Sequence, residues 1–140
     1  MPGLRRLTDA VHGEGAAVGA QLGHAGPVAD ARSNGLPALA PCRFLSPLGM
    51  RMTKAATPAD IDRVTRAHAT AARLAVESGF DAVELHFGHN YLASSFLSRR
   101  LNHRDDAYGG SLANRVKVAR PSLTGPSVTY AAASTATDRA

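Results

Sequence analysis

Apolar residues along this chain recur with two different periods, and the switches between them predict its elements. Leu4, Leu7 and Val11 are spaced as on one side of a helix, which predicts a short helix over Pro2 to His12. Gly13 and Gly15 end it. The next stretch, AAVGAQL from Ala16 to Leu22, reads as a buried strand with Ala17, Gly19 and Gln21 on one face and Val18, Ala20 and Leu22 on the other. From Pro27 to Ala56 neither period holds, and Pro27, Pro37, Pro41 and Pro47 stand among glycine and serine. A loop of that length is either a lid or binding loop, or disordered, and the residues alone leave both readings open.

The clearest helix follows. Thr57 is placed to cap it, Pro58 suits its first position, and Asp60 completes a capping box. Ile61, Val64, His68, Ala71, Ala72 and Ala75 recur at helical spacing, and Gly79 supplies the stop. Phe80 to Leu85 is then predicted as a second strand, with Ala82, Glu84 and His86 on one face and Asp81, Val83 and Leu85 on the other. Strand, long loop, helix and strand make a βαβ unit, whose strands are parallel and whose crossover is right-handed. A helical turn over Tyr91 to Leu97 is expected to bury Leu92, Phe96 and Leu97. After Arg120 the stretch PSLTGPSVTYAAASTATDRA mixes Ser, Thr and Ala around two prolines with little periodicity. The chain therefore divides into an α/β segment over residues 1–120 and a disordered or out-of-frame tail over 121–140.

Composition narrows the partners. The 16 Lys and Arg against 11 Asp and Glu leave a formal charge of +5, but the basic residues are scattered in ones and twos. Basic blocks interleaved with aromatics are missing, so the excess predicts a solvated surface and no nucleic-acid partner. The single Cys42 rules out an internal disulfide and fits a reducing compartment. No stretch is long and apolar enough to span a bilayer, and MPGLRRLTDAVHGEG lacks the apolar core of a signal peptide, so a cytoplasmic location without membrane contact is expected. At 140 residues with 44% hydrophobic residues, the chain has material for one ordinary core.

Candidate chemistry gathers where the second strand ends, the end at which α/β folds carry their sites. His86 and His89 are three apart and Tyr91 follows two later, a spacing that can aim two imidazole N–H donors at one oxygen with a phenol nearby. Two neutral donors suit a carbonyl that gains negative charge as it reacts. A tyrosine is a fair acid towards a strongly basic carbon. A structural HxxH with a packed tyrosine remains the other reading of the same spacing. Gln21 stands among very small neighbours, which leaves room beside it for something planar; a strand-end glutamine satisfied by backbone is the plainer reading. His68 lies on the apolar stripe of its helix as a packing histidine. Cys42 has no histidine or acid at fixed short spacing, and a metal site on His86 and His89 lacks a third ligand at ligand spacing.

Together these motifs carry a resemblance. AVELHFGHNYLASSFLS followed by LNHRDDAYGGSLANR resembles the signature region of the Old Yellow Enzyme family of FMN-dependent oxidoreductases. GAAVGAQLGHAG resembles that family's third strand, and TPADIDRV with AHATAARLAVESGFDAVELH resembles the helix and strand that follow it. The likeness covers nearly all of Pro2 to Arg120. It implies a fragment of a (β/α)8 TIM barrel, about strands 3 and 4 with the intervening helix, since a whole barrel takes ~250 residues. It also implies FMN as cofactor and NAD(P)H as reductant, with an alkene conjugated to a carbonyl as the small-molecule substrate. Carried over by position, Gln21 matches the glutamine that hydrogen-bonds the flavin ring. His86 and His89 match the pair that holds the substrate oxygen, with His86 also near the flavin, and Tyr91 matches the proton donor. Four positions depart from the family pattern: Pro27 where arginine is usual, His68 where an apolar aromatic is usual, Asn90 where glycine is usual, and Arg99 where proline often stands. Because the resemblance leaves out most of a barrel, the alternative expectation is an inactive truncated fragment that cannot bind FMN by itself. Such a fragment would persist through association with missing barrel segments or as a homo-oligomer.

Overall fold

The computed structural model describes residues 1–119 apart from 47 and 49; the tail expected over 121–140 and Pro47 of the central loop lie outside them. The first helix, α1, runs Pro2–Gly13. Strands β1 (Gly19–Leu22) and β6 (Ala82–Leu85) pair in parallel, with Gly19 opposite Ala82 and Leu22 opposite Leu85. Both are shorter than the apolar runs suggest, because a strand extends only as far as its partner. Beyond the ladder, single bonds from Asp81 N to Val18 O (2.9 Å) and from His86 N to Leu22 O (2.8 Å) carry the pairing on. The facing follows the predicted alternation: Val83 and Leu85 are buried, whereas Gly19, Gln21 and Ala82 are exposed.

The crossover between them is α2 (Pro58–Glu77), and its start is built as the capping box predicts. Thr57 Oγ1 accepts from Asp60 N (3.1 Å), while Asp60 Oδ2 accepts from Thr57 N (3.0 Å). Ile61 and Ala75 on its apolar stripe are buried, and Val64, His68, Ala71 and Ala72 are half-buried. Helix α1 docks at the far end of α2. Its buried Thr8 donates to Ser78 O (2.6 Å), and the hydrogen bond between His12 Nε2 and Asp81 Oδ2 (2.9 Å) ties it to the approach to β6.

The stretch from Pro27 to Ala56 takes the ordered alternative at its described residues. Four two-residue strands, β2 (Leu39–Ala40), β3 (Leu45–Ser46), β4 (Arg51–Met52) and β5 (Lys54–Ala55), form a parallel pair β2–β5 and a hairpin β3–β4. Thr53, 2% exposed, ties them together: its hydroxyl accepts from Phe44 N (2.9 Å) and donates to Cys42 O (3.0 Å). Short strands of this kind have no periodicity to read. The cap they make closes the main core, in which Leu39 and Ala56 pack with Ile61 of α2, Leu92 and Phe96 of α3 (Leu92–Leu97), and Val118. Leu97, expected inside, is only half-buried.

The segment after α3 locks this cap. Arg104 Nη1 donates to Pro41 O (2.8 Å) and Ala56 O (2.7 Å), and its guanidinium also pairs with Asp106. Asn102 Nδ2 donates to Phe96 O (2.7 Å) and Tyr108 O (2.8 Å). Gly109 packs so closely that a Cβ there would lie 1.9 Å from Arg104 O. Helix α4 (Leu112–Arg115) follows, capped by Ser111 and joined to α3 by Arg115 Nε donating to Leu97 O (2.9 Å). Among the described residues the strands form three two-stranded sheets, none of them closed. The class is α/β, as expected.

Candidate active site

The site hangs from the carboxyl ends of β1 and β6. His86 N bonds Leu22 O at one end of the loop, and Leu92 N donates to His24 O (2.9 Å) at the other. Residues 22–24 thus clip both ends of the segment that carries His86, His89 and Tyr91. Inside it, Tyr91 N and Ser94 Oγ both donate to Gly88 O (3.0 and 2.7 Å), which pins the turn to the start of α3. His89 and Asn90 both sit in the left-handed region, at φ 55° and 56°. That pair of residues folds the chain back and lays His89 over His86.

The three predicted side chains come together. The His86 and His89 rings stack with centroids 5.0 Å apart, and Tyr91 meets His86 edge-on at 4.7 Å and His89 at 6.4 Å. His89 is exposed; His86 and Tyr91 are half-buried. The two imidazoles bond each other, His89 Nδ1 to His86 Nε2, at 3.0 Å. One of those nitrogens carries the proton and the other accepts it. Tyr91 is the cap residue of α3, extended at ψ 173°, rather than part of the helical turn itself.

Gln21 lies on β1, opposite Glu84, two residues before His86 on the neighbouring strand. It is paired with Glu84 on the exposed face of the β1–β6 sheet and has no side-chain hydrogen bond among the described residues. With Gly19 and Ala82 beside it on that face, its amide is free to meet the edge of a flat ring with both a donor and an acceptor. This donor set fits a flavin.

Three residues that support the cluster carried no assigned role in the sequence reading. A Cβ at Gly23 would lie 3.3 Å from His86 Cβ and 3.7 Å from Tyr91 Cδ2, so the glycine lets both rings close over the strand end. Gly26, at φ 59°, backs directly onto Leu92. His24 Nδ1 accepts from Gly26 N (3.0 Å), and burial above all, then the neighbouring charges of His68 and Arg63, push its pKa below the ordinary imidazole value. The only sequence signal for them was the Gly-His-Ala-Gly run at the strand end. His68 behaves as a satisfied packing histidine, its Nδ1 bonding Val64 O (2.9 Å). Cys42 Sγ accepts from His103 N (3.4 Å), away from the cluster. Among the described residues no three His, Cys, Asp or Glu side chains are grouped to hold a metal, and no helix is long and apolar enough to cross a membrane.

Residues 1–124 match the model of the NADH:flavin oxidoreductase / NADH oxidase family. The chain belongs to that family. It is 56% identical over 120 residues to a 4,4'-dithiodibutanoate disulfide reductase of Rhodococcus erythropolis, covering 86% of this chain and 30% of that protein. It is 40% identical over 120 residues to a multifunctional alkene reductase/demethylase of Caballeronia cordobensis, covering 85% and 18%. Its fold superimposes on the crystal structure of Old Yellow Enzyme from Pichia sp. AKU4542 with a TM-score of 0.78 at 30% identity, covering 86% of this chain and 34% of that one. The chain spans about a third or less of the length of these relatives.

Proposed function

We propose that this chain carries the oxygen-holding and proton-donating corner of an FMN-dependent NAD(P)H oxidoreductase of the ene-reductase type, with β1 and β6 as strands 3 and 4 of an eight-stranded barrel. The observation that carries the reading is two imidazoles and a phenol clustered at the end of β6, with centroids 4.7 to 6.4 Å apart, in a chain of this family. Gln21 and His86 would hold the edge of the flavin. FMN, when bound, supplies the hydride for the substrate and recovers it from NAD(P)H.

The side chains do the rest. A substrate carbonyl oxygen replaces the 3.0 Å bond between His86 Nε2 and His89 Nδ1 with one bond to each ring. For that, the ring that had accepted must move its proton to its inner nitrogen, so that both donate. Two such donors stabilise the oxygen as negative charge builds on it, by a few kcal/mol each. Tyr91 then gives its phenolic proton to the carbon beside the carbonyl and regains one from water. The alkene gains a hydride and a proton, and NAD(P)H is oxidised.

Identity of 56% to a disulfide reductase supports a second substrate class. There the S–S bond takes the two electrons and the acid proton goes to the leaving thiolate. The open edges of the β1–β6 sheet support another reading for the isolated 140 residues, that they hold no flavin on their own. One set of measurements separates the three. FMN is titrated into the purified chain under visible absorbance, and NAD(P)H oxidation is then followed with a cyclic enone or a dithiodialkanoate. Tyr91→Phe is expected to slow enone turnover about 100-fold or more with flavin binding unchanged. No bound flavin and no NAD(P)H oxidation would leave only the inert fragment.

A further inference from the structure

His24 lines the same small cavity as His86, and the chemistry above does not use it. Its backbone carbonyl accepts from Leu92 N (2.9 Å), and its ring Nδ1 accepts from Gly26 N (3.0 Å). Gly26 in turn leaves no gap against α3, for a Cβ there would lie 2.5 Å from Leu92 N. One residue thus secures the start of α3 through its backbone and, by way of Gly26, through its ring. Tyr91 immediately precedes Leu92 in the chain. Behind the ring, His24, Thr65, His68 and His86 share a cavity of about 20 Å³, the room taken by one water. The charged and titratable groups facing His24 are His68 and Arg63 from α2 and His86 from the loop.

We propose that His24 is a positioning residue: its ring, unprotonated at Nδ1, latches the loop that carries His86 and Tyr91, and proton binding at Nδ1 opens the latch. Nδ1 accepts a hydrogen bond only while it keeps its lone pair. In the imidazolium both ring nitrogens bear hydrogen, so Nδ1–H and Gly26 N–H would face each other donor to donor. The Gly26 contact under Leu92 then loses its anchor. Burial first, and the charges of His68 and Arg63 after it, hold the pKa of His24 below the ordinary imidazole value of about 6.5. The sign follows: the latch is fully closed above about pH 6.5 and is lost as the pH falls towards the lower folded-state value. The functional meaning rests on the roles proposed for His86 and Tyr91, but the test needs neither flavin nor substrate, so either can fail alone.

The test uses the full 140-residue chain labelled with ¹⁵N. At neutral pH the His24 Nδ1 resonance is expected at the position of an unprotonated ring nitrogen. As the pH falls through the His24 titration, the amides of Gly26 and Leu92 should lose protection from exchange, corrected for intrinsic rates, by roughly three- to tenfold. His24→Asn keeps an acceptor for Gly26 N–H but does not titrate, so its protection should stay flat with pH. His24→Leu should be unprotected throughout. A protonated Nδ1 at neutral pH in the native chain overturns the proposal even if neither variant folds, and so does the same acid loss of protection in His24→Asn.

Discussion

The turn that lays His89 over His86 depends on two adjacent residues in a conformation most side chains avoid. His89 and Asn90 sit at φ 55° and 56°, and asparagine is among the few non-glycine residues that enter this region readily. Asn90 therefore suits a left-handed position that most side chains would strain. Asn90→Val should cost about 1–2 kcal/mol in chemical denaturation, whereas Asn90→Gly should stay within about 0.5 kcal/mol of the parent. Asp60 is a different kind of critical residue. It is 2% exposed and bonded to Lys54 (2.9 Å), Arg63 (2.7 Å) and both donors of Thr57. Lys54 first, then the Thr57 backbone and hydroxyl, hold its carboxyl well below the usual carboxylate range. Its contribution is thus fully present above about pH 4 and lost as the pH drops below that. Asp60→Ala should destabilise the chain by about 1–3 kcal/mol at neutral pH, and the deficit should shrink when the denaturation is repeated in acid.

At the scale of elements, the cap formed by β2 to β5 and the segment after α3 support one another. Two-residue strands cannot stand alone, and Arg104 satisfies the carbonyls just beyond the paired strands β2 and β5, at Pro41 and Ala56. The fork of its guanidinium matters, because it also grips Asp106 and places the charge 5.8 Å from the Phe96 ring centroid. Arg104→Lys keeps the charge and loses the fork. It should lower stability by about 1–3 kcal/mol and raise amide exchange at Lys54 and Ala56, whose N–H groups bond Ala38 O and Ala40 O (both 2.8 Å). Unchanged exchange there would show that the cap stands without the arginine. The same clamp explains why so much of the motif from Asn102 to Arg115 is structural. Its bonds run to Phe96 O, Pro41 O, Ala56 O and Leu97 O, and among the described residues none goes to the imidazole and phenol cluster.

For the whole molecule, the parallel pair β1–β6 is the feature that asks most of its surroundings. Among the described residues each strand pairs only with the other, and parallel sheets are ordinarily covered on both faces. Leu36 and Leu48 are each 71% exposed and Met50 is 68% exposed. Open edges together with exposed large side chains favour association. The isolated 140-residue chain is therefore expected to sediment as species heavier than 14.6 kDa that grow with concentration; a sharp monomer at all concentrations would contradict this. What the residues determined by themselves was local. Helix α2 with its cap, the alternating faces of β1 and β6, and the neighbourhood of His86, His89 and Tyr91 follow from periodicity and from residues within a few positions of each other. The tertiary structure alone decided how the cluster is backed: the bond between the two imidazoles, the glycine at Gly23, the clip from His24 to Leu92, and the order in the described residues between Pro27 and Ala56. Each depends on which distant group satisfies a given N–H or C=O or fills a given gap. Spacing along the chain does not specify that partner; packing does.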